Sequence, residues 1–235
     1  MHALGTDPTR RTAGQYARAT VQRLRMRTLV WLGALAVATA ALGRTLGLHD
    51  ALFVASELAL LVSMFVISRF VLPQVDRRDR GASGEEHVGA VLDSFCSGDW
   101  RVIHDVSLGH GNVDHLVIGP AGVFTVETKS RSGQVRVGRV HGATLEQARA
   151  QQRSIEAVTE LAVEPLIVYS RAWVDRPLAR RKGVRLMPAR MLVRHLEQQP
   201  CRLSDDQAEM AYSRVVQALL DEHARLARER WRLVR

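Results

Sequence analysis

The hydrophobic residues of this chain are concentrated in two runs near its N-terminus. Thr28–Gly43 contains 16 residues without a charge, and Ala51–Ser68 contains 18 residues interrupted only by Glu57. A helix that crosses a bilayer needs roughly 20 apolar residues, so each run suffices if Arg44 and Arg69 extend toward the membrane surface. The pattern predicts a two-helix transmembrane hairpin. A buried helix pair is a weaker alternative because nothing else in the chain would cover it, and a cleaved signal peptide is not followed at once by a second apolar run.

Beyond the second run, after a charged linker, short segments of strand length alternate with amphipathic segments of helix length. This alternation predicts a mixed α/β domain. In the last helix, Ser204 and Gln207 have the spacing of a capping box, and a packing stripe is predicted at Met210, Leu219 and Leu226. The predicted strands are Arg101–Val106, Val113–Ile118, Val123–Thr128, Gln134–Val137, Pro165–Tyr169 and Val184–Met187, and the predicted helices are Glu85–Phe95, Leu145–Ala162, Ala189–Leu196 and Asp205–Arg228.

The charge distribution predicts the orientation of the chain in a membrane and the kind of surface that its N-terminal tail binds. The net charge is +9, and residues 1–27 hold six arginines against one aspartate. Arginines also follow the second run, whereas Arg44 is alone between the runs, so both termini are expected in the cytoplasm, with the tail against anionic lipid. Two cysteines, Cys96 and Cys201, are too few for a disulfide framework or a four-ligand zinc site. The tail arginines are Arg10, Arg11, Arg18, Arg23, Arg25 and Arg27, and those after the second run are Arg77, Arg78 and Arg80.

Two predicted strands are joined by the turn sequence Gly119-Pro120-Ala121-Gly122 and should form an antiparallel hairpin. If the turn is centred between Pro120 and Ala121, the numbers of facing residues sum to 241. Asp114 then lies opposite Glu127, with Lys129 on the same face. A shift of one residue would place the two acids on opposite faces of the sheet.

These charged residues lie in otherwise apolar strands, where burial of two carboxylates and an ammonium is costly without compensation. A divalent cation such as Mg²⁺ or Mn²⁺ would supply it, and Glu85 is a third candidate ligand because it lies on the core-facing stripe of its helix. Each part of this metal interpretation has an alternative. The strands could form an exposed edge on which Glu127 pairs with Lys129, and Glu85 could be an acid in the first turn of its helix, where negative charge is favourable. The metal reading predicts a site built from Asp114, Glu127 and Glu85.

The same residues resemble a known family, the nuclease-related domain (NERD) of the PD-(D/E)XK nuclease superfamily. The resemblance covers about 84–158 and implies a restriction-endonuclease-like core with the order α-β-β-β-α-β. The domain expectation is therefore a basic tail at 1–27, a transmembrane hairpin at 28–72, a linker at 73–83, a nuclease core at 84–200 and a C-terminal helix at 201–235. The resemblance is carried by Gly84-Glu85, His104-Asp105-Val106, Val113–Pro120, Gly122-Val123-Phe124 and Val126–Lys129.

The resemblance also implies roles for individual residues. Asp114 and Glu127 match the metal-binding acids, Glu85 a further acid, and Lys129 the catalytic lysine. Gln147 matches a glutamine near the site, although its spacing from Thr144 also fits a capping box. The proline of the superfamily name is replaced by Val113, which leaves the acid in place. Two histidines at family positions, His104 and His115, are expected to be hydrogen-bonded core residues rather than ligands.

The resulting expectation is a membrane-anchored, metal-dependent nuclease that cleaves DNA, with RNA as the alternative substrate, at the cytoplasmic face. A non-catalytic scaffold that positions nucleic acid at the membrane is a second reading, and a purely structural membrane protein is a third. A basic run in the C-terminal half is a candidate for phosphate contacts or a solvated loop. Its members are Arg171, Arg176, Arg180, Arg181, Lys182 and Arg185.

Overall fold

The computed structural model describes residues 12–45, 51–108 and 111–233. Its contacts divide the described residues into two compact units. One unit falls within Tyr16–Gly81, and the other comprises the described residues from Ala82 onward together with those up to Gln15. The tail residues Arg10 and Arg11 and the segment 46–50 between the two apolar runs lie outside the described residues.

The N-terminal apolar runs are helical. Helix α1 spans Gln15–Thr45, and α2 spans Ala51–Val66 and continues through a π-helical turn at Ile67–Val71. Two helical stretches, Arg18–Ala41 and Val54–Phe95, are long and apolar enough to cross a membrane, a weak criterion that soluble core helices and signal sequences also meet. In the 18-residue apolar segment of each stretch only 6% is buried, so neither helix is enclosed by the rest of the protein. The helices are compatible with a membrane anchor, and their orientation stays a prediction.

The segment expected as a linker is not irregular, because helix α3 spans Leu72–Phe95 without interruption. Its charged residues sustain the helix, for example where Arg80 Nε donates to the carbonyl of Asp76 at 3.1 Å. Three of the charged residues of 73–83 are arginines, which have good helix propensity, so a charged composition does not by itself break a helix. The role of 73–83 as a linker between domains stays a prediction.

The sequence predicted a mixed α/β domain, and the domain contains a six-stranded mixed sheet in the order β1-β2-β3-β4-β6-β5. The first three strands are antiparallel, β4 and β6 continue in parallel, and β5 closes the edge antiparallel to β6. From α3 to β4 the chain follows the expected order α-β-β-β-α-β. The bounds are β1 Arg101–Ser107, β2 Asn112–Gly119, β3 Gly122–Val135, α4 Gly142–Thr159, β4 Val163–Val174, β5 Arg180–Arg181, β6 Val184–Pro188, α5 Leu192–Glu197 and α6 Asp205–Leu233.

The hairpin between β2 and β3 has the predicted register. From His115↔Val126 to Gly119↔Gly122, the numbers of paired residues sum to 241. Gly122 has φ 132°, a conformation that glycine adopts most readily. The fourth predicted strand, Gln134–Val137, overlaps only the last two residues of β3, and Val137 begins a 3-10 turn instead. Strand β3 keeps its pairing with β4 through an irregularity between Lys129 and Ser132.

Helices cover both faces of the sheet. On one face α3 buries Val88 and Leu92, and on the other α4 and α6 bury a cluster that includes Ile155 and Val215. The capping box of α6 is confirmed, with reciprocal bonds of 2.9 and 3.3 Å between Ser204 and Gln207. The predicted stripe of α6 is wrong at two positions, since Met210 and Leu226 are 54% and 42% exposed. The buried residues of this helix are Ala211, Val215 and Leu219, whose spacing of four brings them onto the sheet.

Candidate active site

The candidate acids lie where β2 and β3 begin to separate. The observed register, extended one step past His115↔Val126, places Asp114 opposite Glu127. The backbone N–H of Thr128 donates to Asp114 Oδ2 at 2.7 Å and ties the strands together at this point. Lys129 Nζ donates to Glu127 Oε1 at 2.5 Å. The structure therefore brings the hairpin's two acids and its lysine into one cluster.

Helix α4 contributes two glutamines that hold both oxygens of Glu127. Gln147 Nε2 donates to Oε1 at 2.8 Å, and Gln151 Nε2 donates to Oε2 at 2.5 Å. Gln147 also accepts from Lys129 Nζ at 3.3 Å. The capping interpretation of Gln147 is wrong, because α4 is preceded by His141 as its N-cap and Gln147 lies inside the helix. The sequence analysis missed Gln151, although a residue four positions after Gln147 shares its helix face.

Glu85 approaches this cluster from α3. A Cβ atom on the preceding residue, Gly84, would lie 2.7 Å from Ser130 Cβ and 2.8 Å from Ser170 Oγ. Glycine is therefore what allows the helix to pack so closely against β3 and β4. Burial, together with the charges of Asp105 and Glu127, raises the pKa of Glu85 to about 7.

Asp114 has a perturbed pKa of the same origin. Burial raises the pKa of its carboxyl well above the ordinary value, and the charges of Glu127 and Glu85 raise it further. The Thr128 N–H and the charge of Lys129 act in the opposite direction. Negative charge in this cluster thus exceeds what one lysine compensates, which is a common property of functional sites.

Asp105 is a fourth acid that the sequence analysis did not select. In the β1–β2 ladder, His104↔His115 and Val106↔Val113 flank it, so Asp105 lies opposite Asp114. It is buried, with only 3% of its surface exposed, and its φ of 52° lies in the left-handed region that few residues other than glycine occupy. Asn112 Nδ2 donates to its Oδ1 at 3.3 Å. Its position could be predicted only from the register between β1 and β2.

The donor chemistry of the cluster fits a hard divalent cation. Carboxylate oxygens are the ligands that Mg²⁺ and Mn²⁺ prefer, and the pKa of both Glu85 and Asp114 is raised partly by neighbouring acids. Among the described residues, however, no group of three histidine, cysteine or acidic side chains is spaced to hold a metal ion. Both oxygens of Glu127 are engaged by amide and ammonium donors. Metal binding would require Glu127 to exchange one of these donors for the cation.

The two histidines are hydrogen-bonded core residues, as expected. His104 Nδ1 and His115 Nδ1 lie 2.8 Å apart, and the outer nitrogens contact Asp93 and Thr128 at 2.9 and 3.2 Å. Burial, with the neighbouring His104, lowers the pKa of His115 to about 3. His115 is therefore neutral and supports Thr128, whose N–H contacts Asp114.

The residues of the basic run in the C-terminal half differ in the contacts that they make. Arg180 and Arg185 donate to Glu164 at 3.0 and 2.6 Å, and Arg181 donates to two backbone carbonyls at 2.8 Å each. These three arginines are committed to contacts within the domain. Arg171, Arg176 and Lys182 are exposed. The run is neither a uniform phosphate-binding segment nor a wholly solvated loop.

One comparison with known proteins bears on this geometry. Residues 80–170 match the family model described as the nuclease-related domain, NERD. The match confirms the resemblance seen in the sequence. No curated protein matches the chain, and no solved structure matches it either. The matched segment contains Glu85, Asp105, Asp114, Glu127, Lys129 and Gln147.

Proposed function

We propose that the domain matched by the nuclease-related family model is a metal-dependent nuclease that hydrolyses phosphodiester bonds of DNA and is anchored at the cytoplasmic face of the membrane. The family match suggests a nuclease-like function and an interaction with nucleic acid. The observation that supports catalysis is the convergence of Glu85, Asp114, Glu127 and Lys129 on one end of the hairpin.

The acids would hold Mg²⁺ or Mn²⁺, with Asp114 and Glu127 as the principal ligands and Glu85 as a further one. A cation bound there supplies charge neutralisation for the phosphodiester and acidifies a bound water. A pKa of about 7 at Glu85 means that this carboxyl is partly protonated at neutral pH without a cation. Metal binding is therefore expected to release protons.

Lys129 is the residue that this proposal assigns to the chemistry. Its ammonium is a compact point charge, suited to orienting a water or stabilising charge on phosphorus. Gln147 and Gln151 fix the Glu127 carboxylate from both sides, and Gln147 also accepts from Lys129. Their part in the proposal is to hold the acid and the lysine in a fixed relation.

Anchoring rests on the two apolar helices and the basic tail. Substituting the tail arginines with glutamine should weaken binding to vesicles that contain anionic lipid, because each basic residue near the surface contributes about 1 kcal/mol. Unchanged binding and unchanged topology would contradict this part of the proposal. The residues to substitute are Arg10, Arg11, Arg18, Arg23, Arg25 and Arg27.

The decisive experiment is a cleavage assay on the full chain in a nonionic detergent, with DNA or RNA and with Mg²⁺, Mn²⁺ or EDTA. Metal-dependent cleavage that Glu127→Gln abolishes and Glu197→Gln preserves is the expected result, since Glu197 is an exposed glutamate on α5. Cleavage that persists in EDTA, or in the Glu127→Gln protein, would refute the metal-dependent site.

A non-catalytic scaffold is the second candidate, and one observation favours it. Among the described residues no three acids, although they lie near one another, are spaced to hold a metal ion, and both oxygens of Glu127 are engaged by neighbouring donors. A scaffold would bind nucleic acid in a salt-sensitive manner and cleave neither DNA nor RNA with either cation. That pair of results would replace the nuclease proposal.

A further inference from the structure

A groove of about 600 Å³ lies on the α3 side of the sheet. It is bounded by α3, the end of β4 and the segment from β6 to α5. Its lining among the described residues includes two arginines, Arg171 and Arg190, and a histidine, His87, but no carboxylate. Most of its remaining lining is apolar. The groove thus combines an apolar floor with positive charge.

The groove lies beside the strand that pairs with the lysine-bearing part of β3. Tyr169, which lines the groove, is the direct partner of Lys129 in the parallel ladder. The next residue, Ser170, is the one that a side chain at Gly84 would strike. Arg171 Nη2 donates to Ser83 Oγ at 3.2 Å, two residues before Glu85.

Trp173 gives the groove its chemical character. Its side chain lines the groove and is 51% exposed, although indole rings are usually covered. An exposed aromatic face next to arginines is the arrangement by which proteins bind single strands, with the base on the ring and the phosphate on the cation. Arg171 and Arg190 are both exposed at the groove.

We infer that this groove binds an unpaired nucleotide of the substrate strand, with its base stacked on Trp173 and its phosphates contacted by Arg171 and Arg190. In a duplex the bases are stacked on one another, so only an unpaired base can reach the indole face. The groove consequently selects single-stranded over double-stranded nucleic acid. This inference rests on the proposed function for the class of ligand, nucleic acid, but its binding test does not require cleavage.

The test measures binding of the full chain, in nonionic detergent with EDTA, to fluorescein-labelled oligothymidylate, to oligouridylate and to a duplex. Stacking on one aromatic residue contributes about 1–3 kcal/mol, so Trp173→Ala should weaken single-strand binding by about 5- to 140-fold. Trp173→Phe should lose less, because a phenyl ring still stacks. The matched control is Trp231→Ala, since Trp231 is 75% exposed and lies outside the groove.

The arginines have a separate readout. Each phosphate contact to a single strand contributes about 0.7 to the slope of log K against log salt concentration. Arg171→Gln and Arg190→Gln should each reduce that slope by about this amount, whereas Arg202→Gln, on an exposed residue outside the groove, should not.

Three outcomes would overturn the inference: equal or tighter binding of the duplex, unchanged binding by the Trp173→Ala protein, or no binding of any oligonucleotide. Binding that depends on Trp173 in a protein that never cleaves would uphold the groove and remove the nuclease proposal. Metal-dependent cleavage by a protein whose oligonucleotide binding does not depend on Trp173 would support the nuclease proposal and overturn the inference about the groove.

Discussion

Replacing Glu85 with glutamine should stabilise the metal-free protein at neutral and alkaline pH. The folded domain holds the pKa of Glu85 at about 7, against an ordinary value of 4.5. Between these two values the folded state retains a proton that the unfolded chain has released, so stability falls as pH rises. By the usual conversion the loss is at most ~3.4 kcal/mol, and solvent screening of this half-buried group reduces it to about 1–2 kcal/mol. Glutamine resembles the protonated acid and removes the loss.

The assay is thermal melting of the full chain in nonionic detergent with EDTA. Unfolding of the α/β domain is monitored by its near-ultraviolet circular dichroism. At pH 8 the Glu85→Gln protein should melt about 2–8 °C above the parent, and below pH 4.5 the two should coincide. Glu197→Gln, on an exposed residue, should not change the pH dependence. A Glu85→Gln protein that melts at or below the parent temperature at pH 8, or whose advantage is independent of pH, would refute the electrostatic account of the cluster.

Three further predictions concern the lysine, a structural ion pair and the topology. Asp114→Asn and Glu127→Gln should lose both Mg²⁺ binding and cleavage, whereas Lys129→Ala and Lys129→Arg should lose cleavage and keep Mg²⁺ binding in calorimetry; loss of binding with Lys129 would contradict its assigned role. Burial opposes ionisation of Glu164, yet bonds from its arginine partners hold its pKa below the ordinary value. Glu164→Gln should therefore lower the free energy of unfolding, measured in urea at pH 7, by about 2–3 kcal/mol. The difference from the parent should become smaller below pH 4.5. Equal stability of the two proteins at pH 7 would contradict a structural role for the contacts between Glu164 and its arginine partners. A reporter fused after Arg235 should be inaccessible from outside the cell, and surface labelling of it would overturn the predicted orientation.

Local patterns predicted the hairpin well because its determinants are close in sequence. The turn Gly119-Pro120-Ala121-Gly122 and the apolar strands beside it are sufficient to specify the register, and the observed pairs match it. The relation of Asp114 to Glu127 and Lys129 follows from that register alone. Glu85 could be predicted from its place on a helical stripe.

The features that sequence analysis missed depend on contacts between distant segments. Asp105 joins the acids only through the pairing of β1 with β2. The four residues between these strands include two glycines, which indicate a turn, but a loop of that length does not by itself fix the register. Gln151 is one of several polar residues on α4, and only the packing of that helix against β3 shows that it contacts Glu127. The exposure of Met210 and Leu226 has the same origin, since hydrophobic residues are not forced inward where a helix lacks a neighbour.

The hairpin has two arms of equal length, residues 114–118 before the turn and 123–127 after it, and this equality limits how the sequence of such a chain can diverge. Asp114 and Ile118 are four residues apart, as are Val123 and Glu127, and the turn joins arms of equal length. Substitutions among apolar residues leave this equality intact, whereas one deletion within either arm would move its acid to the opposite face. A lineage that shortened one arm could regain the pairing of the acids by shortening the other. Divergence along this hairpin is therefore expected to conserve the number of residues in each arm more strictly than their identity.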